Sequence, residues 1–146
     1  MIKVVNLVPN RNHGPGFIRA DRVSPLGNPY LLQDEEDREL IIKLYKRYLW
    51  CAMNQPYGRD RQASIIADTT RKKHHLHIRL APAYLAKRWT IFNVQAELNA
   101  LVHRHMRGED VILGCWCHPS PCHCDILKAA IEWKAAENVQ HAMEAM

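Results

Sequence analysis

The 146-residue sequence has no apolar run longer than a few residues, which excludes a membrane-spanning helix of the usual twenty-residue length. Its first residues, Met1-Ile-Lys-Val-Val-Asn6, open as a strand. They lack the charged region and long apolar stretch of a secretion leader, so a cytoplasmic setting is expected. Internal repeats and low-complexity linkers are absent too, which leaves one globular domain over 1–146 as the default for a chain of this length. The five cysteines are poorly suited to a disulfide framework, because four of them crowd into ten residues. Thiols that stay free or bind metal fit a reducing compartment.

Acidic residues are scarce in one region. Between Arg59 and Arg88 stand eight basic residues against only Asp60 and Asp68, while the whole chain carries a formal charge of +5. The positive field is therefore concentrated there, with Arg71, Lys72, Lys73, Arg79, Lys87 and Arg88 as its main contributors. A polyanion, nucleic acid or a nucleotide phosphate, is the natural partner of such a stretch. A solvated loop that keeps the protein soluble is the competing reading.

The pattern along the chain alternates strand and helix. Ile2 to Val8 reads as a strand ended by Pro9 and Asn10, with Gly14, Pro15 and Gly16 in the loop beyond. Asp34 reads as the cap of a helix to about Met53, with Leu40, Ile41, Leu44, Tyr48, Leu49 and Ala52 as its apolar stripe. Gln55, Pro56 and Gly58 break the chain. Leu76, Ile78 and Leu80 alternate with polar residues and predict a short strand, and Pro82 predicts a helical turn. A helix capped by Asn93 and stopped by Gly108, a strand over 111–115, and a last helix from Pro121 that frays beyond Glu137 complete the set. This order predicts a small α/β domain, a short, mostly parallel sheet of three to five strands flanked by helices in a Rossmann-like three-layer arrangement.

The densest chemistry is Cys115-Trp-Cys117-His118-Pro-Ser-Pro-Cys122-His123-Cys124, fed by the apolar run Val111-Ile112-Leu113. A strand, a tight loop and then a helix is where open α/β sheets hold their ligands. Metal is the first reading. Cys115 and Cys117 fall on one face of an extended chain, Cys122 returns past the proline loop, and His118 or His123 supplies a fourth ligand for Zn2+. Cys122 and Cys124 cannot share one ion if both are helical, since they would point about 200° apart; a helix beginning after Cys124 would reopen Cys₄. The second reading takes Ser120 and Pro121 as cap and first residue of the helix. Cys122 and His123 then sit in its first turn, where the dipole favours a thiolate or a phosphate and Asp125 is near enough to orient His123. An inert cluster of small apolar thiols is the third.

A second constellation runs Arg19-Ala-Asp-Arg22-Val-Ser24-Pro-Leu-Gly27-Asn28-Pro-Tyr30. Two prolines stiffen it, Gly27 relaxes the backbone, and Asn28 offers a donor and an acceptor for a base edge or sugar. Arg19 and Arg22 stand ready for phosphate. Taken alone, the segment reads first as a structural turn that caps the sheet before the helix at Asp34.

Together, Val4-Val5-Asn6-Leu7, Ser24-Pro-Leu-Gly-Asn-Pro-Tyr30, a helix with Tyr45 to Leu49, and Leu113-Gly-Cys-Trp-Cys117 followed by Pro119 and Cys122-His123-x-Asp125 resemble the small bacterial and phage family called domain of unknown function 4326. The resemblance implies that Asn6, Ser24, Gly27, Asn28, Cys115, Cys117, Cys122, His123 and Asp125 belong to a shared pattern. It implies a bacterial or phage origin as well, hence a host cytoplasm in the phage case. Family members commonly carry glycine where this chain has Cys124, which favours a Cys₃His set of Cys115, Cys117, Cys122 and His123, or no metal, over Cys₄. The stretch from Gln55 to about Trp89 reads as an insertion in the compact domain.

The reading that follows is a nucleotide- or nucleic-acid-directed domain. Asn6, Arg19, Arg22, Ser24, Gly27 and Asn28 would bind substrate, the basic insertion would hold phosphates, and Cys122, His123 and Asp125 would act in any transfer or hydrolysis at a nucleotide or base. The competing function is a non-catalytic, zinc-stabilised interaction protein that captures nucleic acid or inhibits a host complex. Both require the proline loop and the thiol-rich turn to be neighbours.

Overall fold

The structure, a computed structural model, describes residues 1–7, 14–56 and 62–146. Val8, Pro9, Asn10, Gly58, Arg59, Asp60 and Arg61 lie outside the described residues, as does the Lys73 side chain. In chain order the elements are β1 (Ile2–Asn6), β2 (Phe17–Arg19), a 3-10 turn (Glu35–Asp37), α1 (Arg38–Met53), α2 (Ala63–His74), α3 (Pro82–Leu85), α4 (Ile91–Met106), β3 (Val111–Cys115) and α5 (His123–Glu144).

The protein is α/β, with an open sheet of three strands in the order β1-β3-β2, every pair parallel. The register pairs Asn6 with Cys115 and Arg19 with Gly114, so the carboxyl ends of all three strands reach one edge. Val111, Leu113 and Cys115 of the central strand are buried, as parallel strands demand. At Gly114 the backbone is approached closely from one side. A Cβ there would lie 2.7 Å from side-chain atoms of both Leu7 and Phe17, so glycine is what lets those two residues close over the sheet. Helices α4 and α5 pack on each other and on β3, and α1 lies against both. No helix among the described residues is long and apolar enough to cross a membrane.

Local signals place the helices, with informative departures. The Asp34 side chain accepts from the Glu36 N–H at 3.0 Å, but the turn it caps is 3-10, and α1 follows from Arg38. Asn93 is the third residue of α4. Thr90 is the cap, and the two form a reciprocal capping box, Asn93 N–H to Thr90 Oγ1 at 3.1 Å and Thr90 N–H to Asn93 Oδ1 at 3.0 Å. The strand expected over Leu76 to Leu80 does not form; only Leu80 makes an isolated bridge, to Tyr30. The reason is Arg71, whose guanidinium takes the carbonyls of Leu76 at 3.2 Å and Ile78 at 3.1 Å and folds that stretch into a loop against α2. α2 was not expected from the sequence, although Ala63, Ile66, Ala67 and Thr70 form a buried stripe at helical spacing inside the basic segment. Instead of fraying beyond Glu137, α5 stays helical to Glu144.

Candidate functional site

A cleft opens at the carboxyl edge of the sheet, walled on one side by the loop from Asp21 to Tyr30 and on the other by Trp116, Cys117, Pro121, Cys122 and His123. The two constellations are therefore neighbours. Arg38 and Ile41 of α1 form the back. The enclosed space is about 80 Å³. That holds roughly six waters, enough for a phosphoryl group or a sugar but not for a whole nucleotide.

The proline loop is held by its own carbonyls. The buried Tyr45 hydroxyl of α1 donates to Leu26 O at 2.8 Å, and the buried Tyr84 hydroxyl of α3 donates to Gly27 O at 2.8 Å. Arg22 Nε donates to Asn28 O and its Nη2 to Tyr30 O, both at 3.0 Å. Ser24 Oγ accepts from the Leu26 N–H at 3.1 Å, making a turn and not a ligand contact. Gly27 is required by crowding: a Cβ would sit 2.5 Å from Asp21 O and 2.7 Å from Arg22 Cα. Asn28 is the residue this scaffold presents. Only 9% of it is exposed, its Oδ1 accepts from the Tyr30 N–H at 2.9 Å, and its Nδ2 meets no acceptor among the described residues while the side chain lines the cleft.

The opposite wall is anchored from β1 and α1. Asn6 Nδ2 donates to Trp116 O at 3.2 Å and His118 O at 2.7 Å, so this residue positions the turn after β3. Arg38 pairs with Glu35 through two 2.7 Å contacts and donates to Pro121 O at 2.9 Å. Arg19 is turned toward Asp21, whose carboxylate also accepts from Trp116 Nε1 at 3.0 Å, and Trp116 remains 55% exposed at the mouth. Burial lowers the Arg22 guanidinium from its usual value, yet an arginine stays cationic. Of the charged residues that line the cleft, Arg22 and Arg38 outnumber Asp21, which gives it cationic character.

Behind the second wall lies a buried triangle of thiols. Cys115, Cys122 and Cys124 have sulfurs within 4.8 Å of one another, and Cys115 Sγ is 3.0 Å from Cys122 Sγ. Of the four ligands expected, Cys115 and Cys122 are brought together and Cys124 joins them; Cys117 faces the cleft instead. Cys122 is the cap of α5 with φ −150° and ψ 176°, extended and not helical, so the angular objection to pairing it with Cys124 does not apply. Cys124 falls where the sequence departs from the shared pattern, which is why the motif alone passed it over. S–H donation from Cys122 and Cys124 outweighs burial and holds the Cys115 thiol far below the ordinary range, while Cys122 and Cys124 are pushed up. Of the three, Cys115 is the one that gives up its proton most readily.

His123 and Asp125 are tied into this wall. His123 Nε2 meets Ala20 O, its ring packs edge-on to Tyr45 with centroids 5.1 Å apart, and burial lowers its pKa, keeping it neutral. Asp125 accepts from the Cys122 N–H at 3.0 Å and closes the cap of α5; it does not orient His123.

A family model described as a domain of unknown function, number 4326, matches residues 9–133. The chain belongs to that family. The matched span includes the basic segment 55–89. No curated protein and no solved structure matches the chain.

The basic residues are dispersed in role. Arg71 is a brace, tied to Asp68 at 2.6 Å as well as to two carbonyls, and Lys72 pairs with the same carboxylate at 2.8 Å. Arg79 and Lys87 are exposed, and Arg88 lies over the Trp89 ring at 5.1 Å.

Proposed function

We propose that this domain 4326 protein binds a nucleotide, or a nucleotide unit of a nucleic acid, through a phosphate seated in the cleft between the proline loop and α5. The observation that carries the reading is Asn28: a nine-tenths buried amide whose acceptor is used locally and whose donor faces the cavity. That donor has no hydrogen-bond partner among the described residues and reaches solvent in the cleft, so an oxygen-rich ligand can take it without breaking a hydrogen bond inside the protein. Arg22 supplies charge beside it, the first turn of α5 turns its positive end to the same space, and Trp116 at the mouth offers a face on which a base can stack. Arg79, Lys87 and Arg88 extend the favourable field for a longer polyanion. Cys122 and His123 remain the groups nearest a bound phosphate should a transfer or hydrolysis follow, in the reducing cytoplasm that free thiols suit.

The test is Asn28→Asp, which keeps the oxygen that accepts from Tyr30 and replaces the free donor with a carboxylate. Calorimetry with a nucleoside monophosphate should show affinity reduced at least tenfold, with circular dichroism unchanged. Equal affinity in both proteins would remove the cleft as the site.

The thiol triangle favours a second element, a bound Zn2+ held by Cys115, Cys122 and Cys124. Three convergent thiols, one of them already stabilised as an anion, match the soft donor set that zinc accepts. The metal would fix the turn after β3 to the start of α5 and so stiffen the wall that carries Cys117 and His123. Elemental analysis should find about one zinc per chain, lost in Cys124→Ser and retained in Cys117→Ser. The reverse outcome would restore the ligand set read from the motif.

A further inference from the structure

On the far side of α1 and α5 from the thiols runs a groove of about 640 Å³ with an unusual composition. Its α5 wall is Ile126, Ala129, Ala130 and Trp133, and its α1 wall is built on Lys43, Lys46, Arg47 and Trp50, with Leu49 and Met53 completing the lining. Both sets follow i, i+3, i+4, i+7, so each is one continuous stripe of its helix, about 10 Å long. Trp50 and Trp133 are 55% and 46% exposed, a large apolar area for a soluble surface. Lys43 and Lys46 are exposed and make no ion pair with an acidic side chain among the described residues.

We propose that this groove docks an acidic amphipathic helix of a partner protein. Three observations select that occupant. The two parallel stripes make the ridges that a third helix packs into, and Ala129 and Ala130 allow its axis to come near. The floor is apolar while one rim carries three cations, so the partner must have an apolar face bordered by carboxylates. The tryptophans lean on each other, with ring centroids 5.7 Å apart and planes at 54°, and Lys134 Nζ lies 5.9 Å above the Trp133 ring. That arrangement turns the two rings toward each other with Lys134 over one of them, an apolar anchor more than a stacking platform, which disfavours a nucleic acid strand. A second copy of the chain laid symmetrically on the groove would set lysine against lysine.

The experiment uses the full chain and two synthetic 18-residue peptides, each with leucine at i, i+3, i+4 and i+7, one with glutamate and one with lysine at the remaining positions. The glutamate peptide should bind, shift the indole N–H resonances of Trp50 and Trp133, and weaken as salt rises. Trp133→Ala should cut its affinity at least tenfold. The double variant Lys43→Glu, Lys46→Glu should lose the glutamate peptide by a similar factor and gain the lysine peptide. Equal binding of both peptides, or of neither, would overturn the proposal. So would an oligothymidylate that shifts the same resonances more tightly, or a dimer that Trp133→Ala dissolves.

Discussion

Tyr84→Phe tests whether the proline loop owes its shape to buried hydroxyls. In the native protein the Tyr84 hydroxyl donates to Gly27 O at 2.8 Å and lies 3.3 Å from Pro25 O, in a fully buried position. Phenylalanine fills nearly the same volume, so the cavity left is only that of one oxygen, and the dominant loss is the donor to a buried carbonyl. That loss is worth about 1–3 kcal/mol. For a chain of this size each kcal/mol moves the melting temperature by roughly 2–4 °C, so a fall of about 4–8 °C is expected for a cost near the middle of the range. Tyr45→Phe removes the donor to the adjacent Leu26 O at 2.8 Å and should behave alike. The two losses fall on consecutive carbonyls of one loop, so the double variant should cost less than their sum. Nucleotide affinity should drop with them, because Asn28 rides on that loop. Urea unfolding and calorimetry read both effects. A Tyr84→Phe protein within about 0.5 kcal/mol of native, binding as before, would show that the loop is held by something else.

The basic segment gives a contrast between neighbours. Arg71→Ala should destabilise the protein by about 2 kcal/mol, since it strips donors from two carbonyls and a carboxylate, whereas Arg79→Ala, Lys87→Ala and Arg88→Ala combined should leave thermal stability almost unchanged while weakening salt-sensitive binding of an oligonucleotide. Equal stability losses would contradict the brace. At the mouth, partial burial opposes the Asp21 charge, but hydrogen bonds from Arg19 and Trp116 outweigh it and hold the carboxyl below its usual value. A group with a depressed folded pKa stabilises above its unfolded value and loses that contribution as pH falls through the folded one, so stability should decline below about pH 4. Asp21→Asn should flatten the decline, as chemical denaturation across an acid pH series would show.

The elements that the sequence announced are those whose signals are local and redundant. β3 was bounded by its apolar run, α1 by an acidic start and a long stripe, and both appear where expected. β2 has three residues, too few for any alternation to register, and is defined only by its pairing with β3. The tyrosines are the larger omission. Tyr45 and Tyr48 look like ordinary core aromatics at helical spacing and Tyr30 and Tyr84 like isolated ones, and only the fold reveals that Tyr45 and Tyr84 point their hydroxyls at the carbonyls of a loop roughly twenty to sixty residues away. Cys124 was masked differently. Its exclusion rested on the glycine common at that place in the family and on Cys122 being helical, and a single extended residue at the cap reverses the second argument.

The cleft therefore has two walls made rigid by different chemistry. One is a loop whose carbonyls are satisfied by tyrosine and arginine donors from α1, α3 and the loop itself; the other is a turn fastened by Asn6, Arg38 and the thiol triangle. Neither wall needs a phosphate for its shape, so phosphate binding costs little ordering entropy and falls on groups already in place. The same economy explains why so many motif residues do not touch the cavity. Asn6, Ser24, Gly27 and Asp125 each spend their polar atoms or their lack of a side chain on holding a neighbour, and the donor they leave exposed to the cleft is the amide of Asn28. Asn28→Asp and Cys124→Ser consequently probe separable properties: the first should weaken nucleotide binding at least tenfold in a protein of native stability, the second should soften one wall and lower stability and binding together.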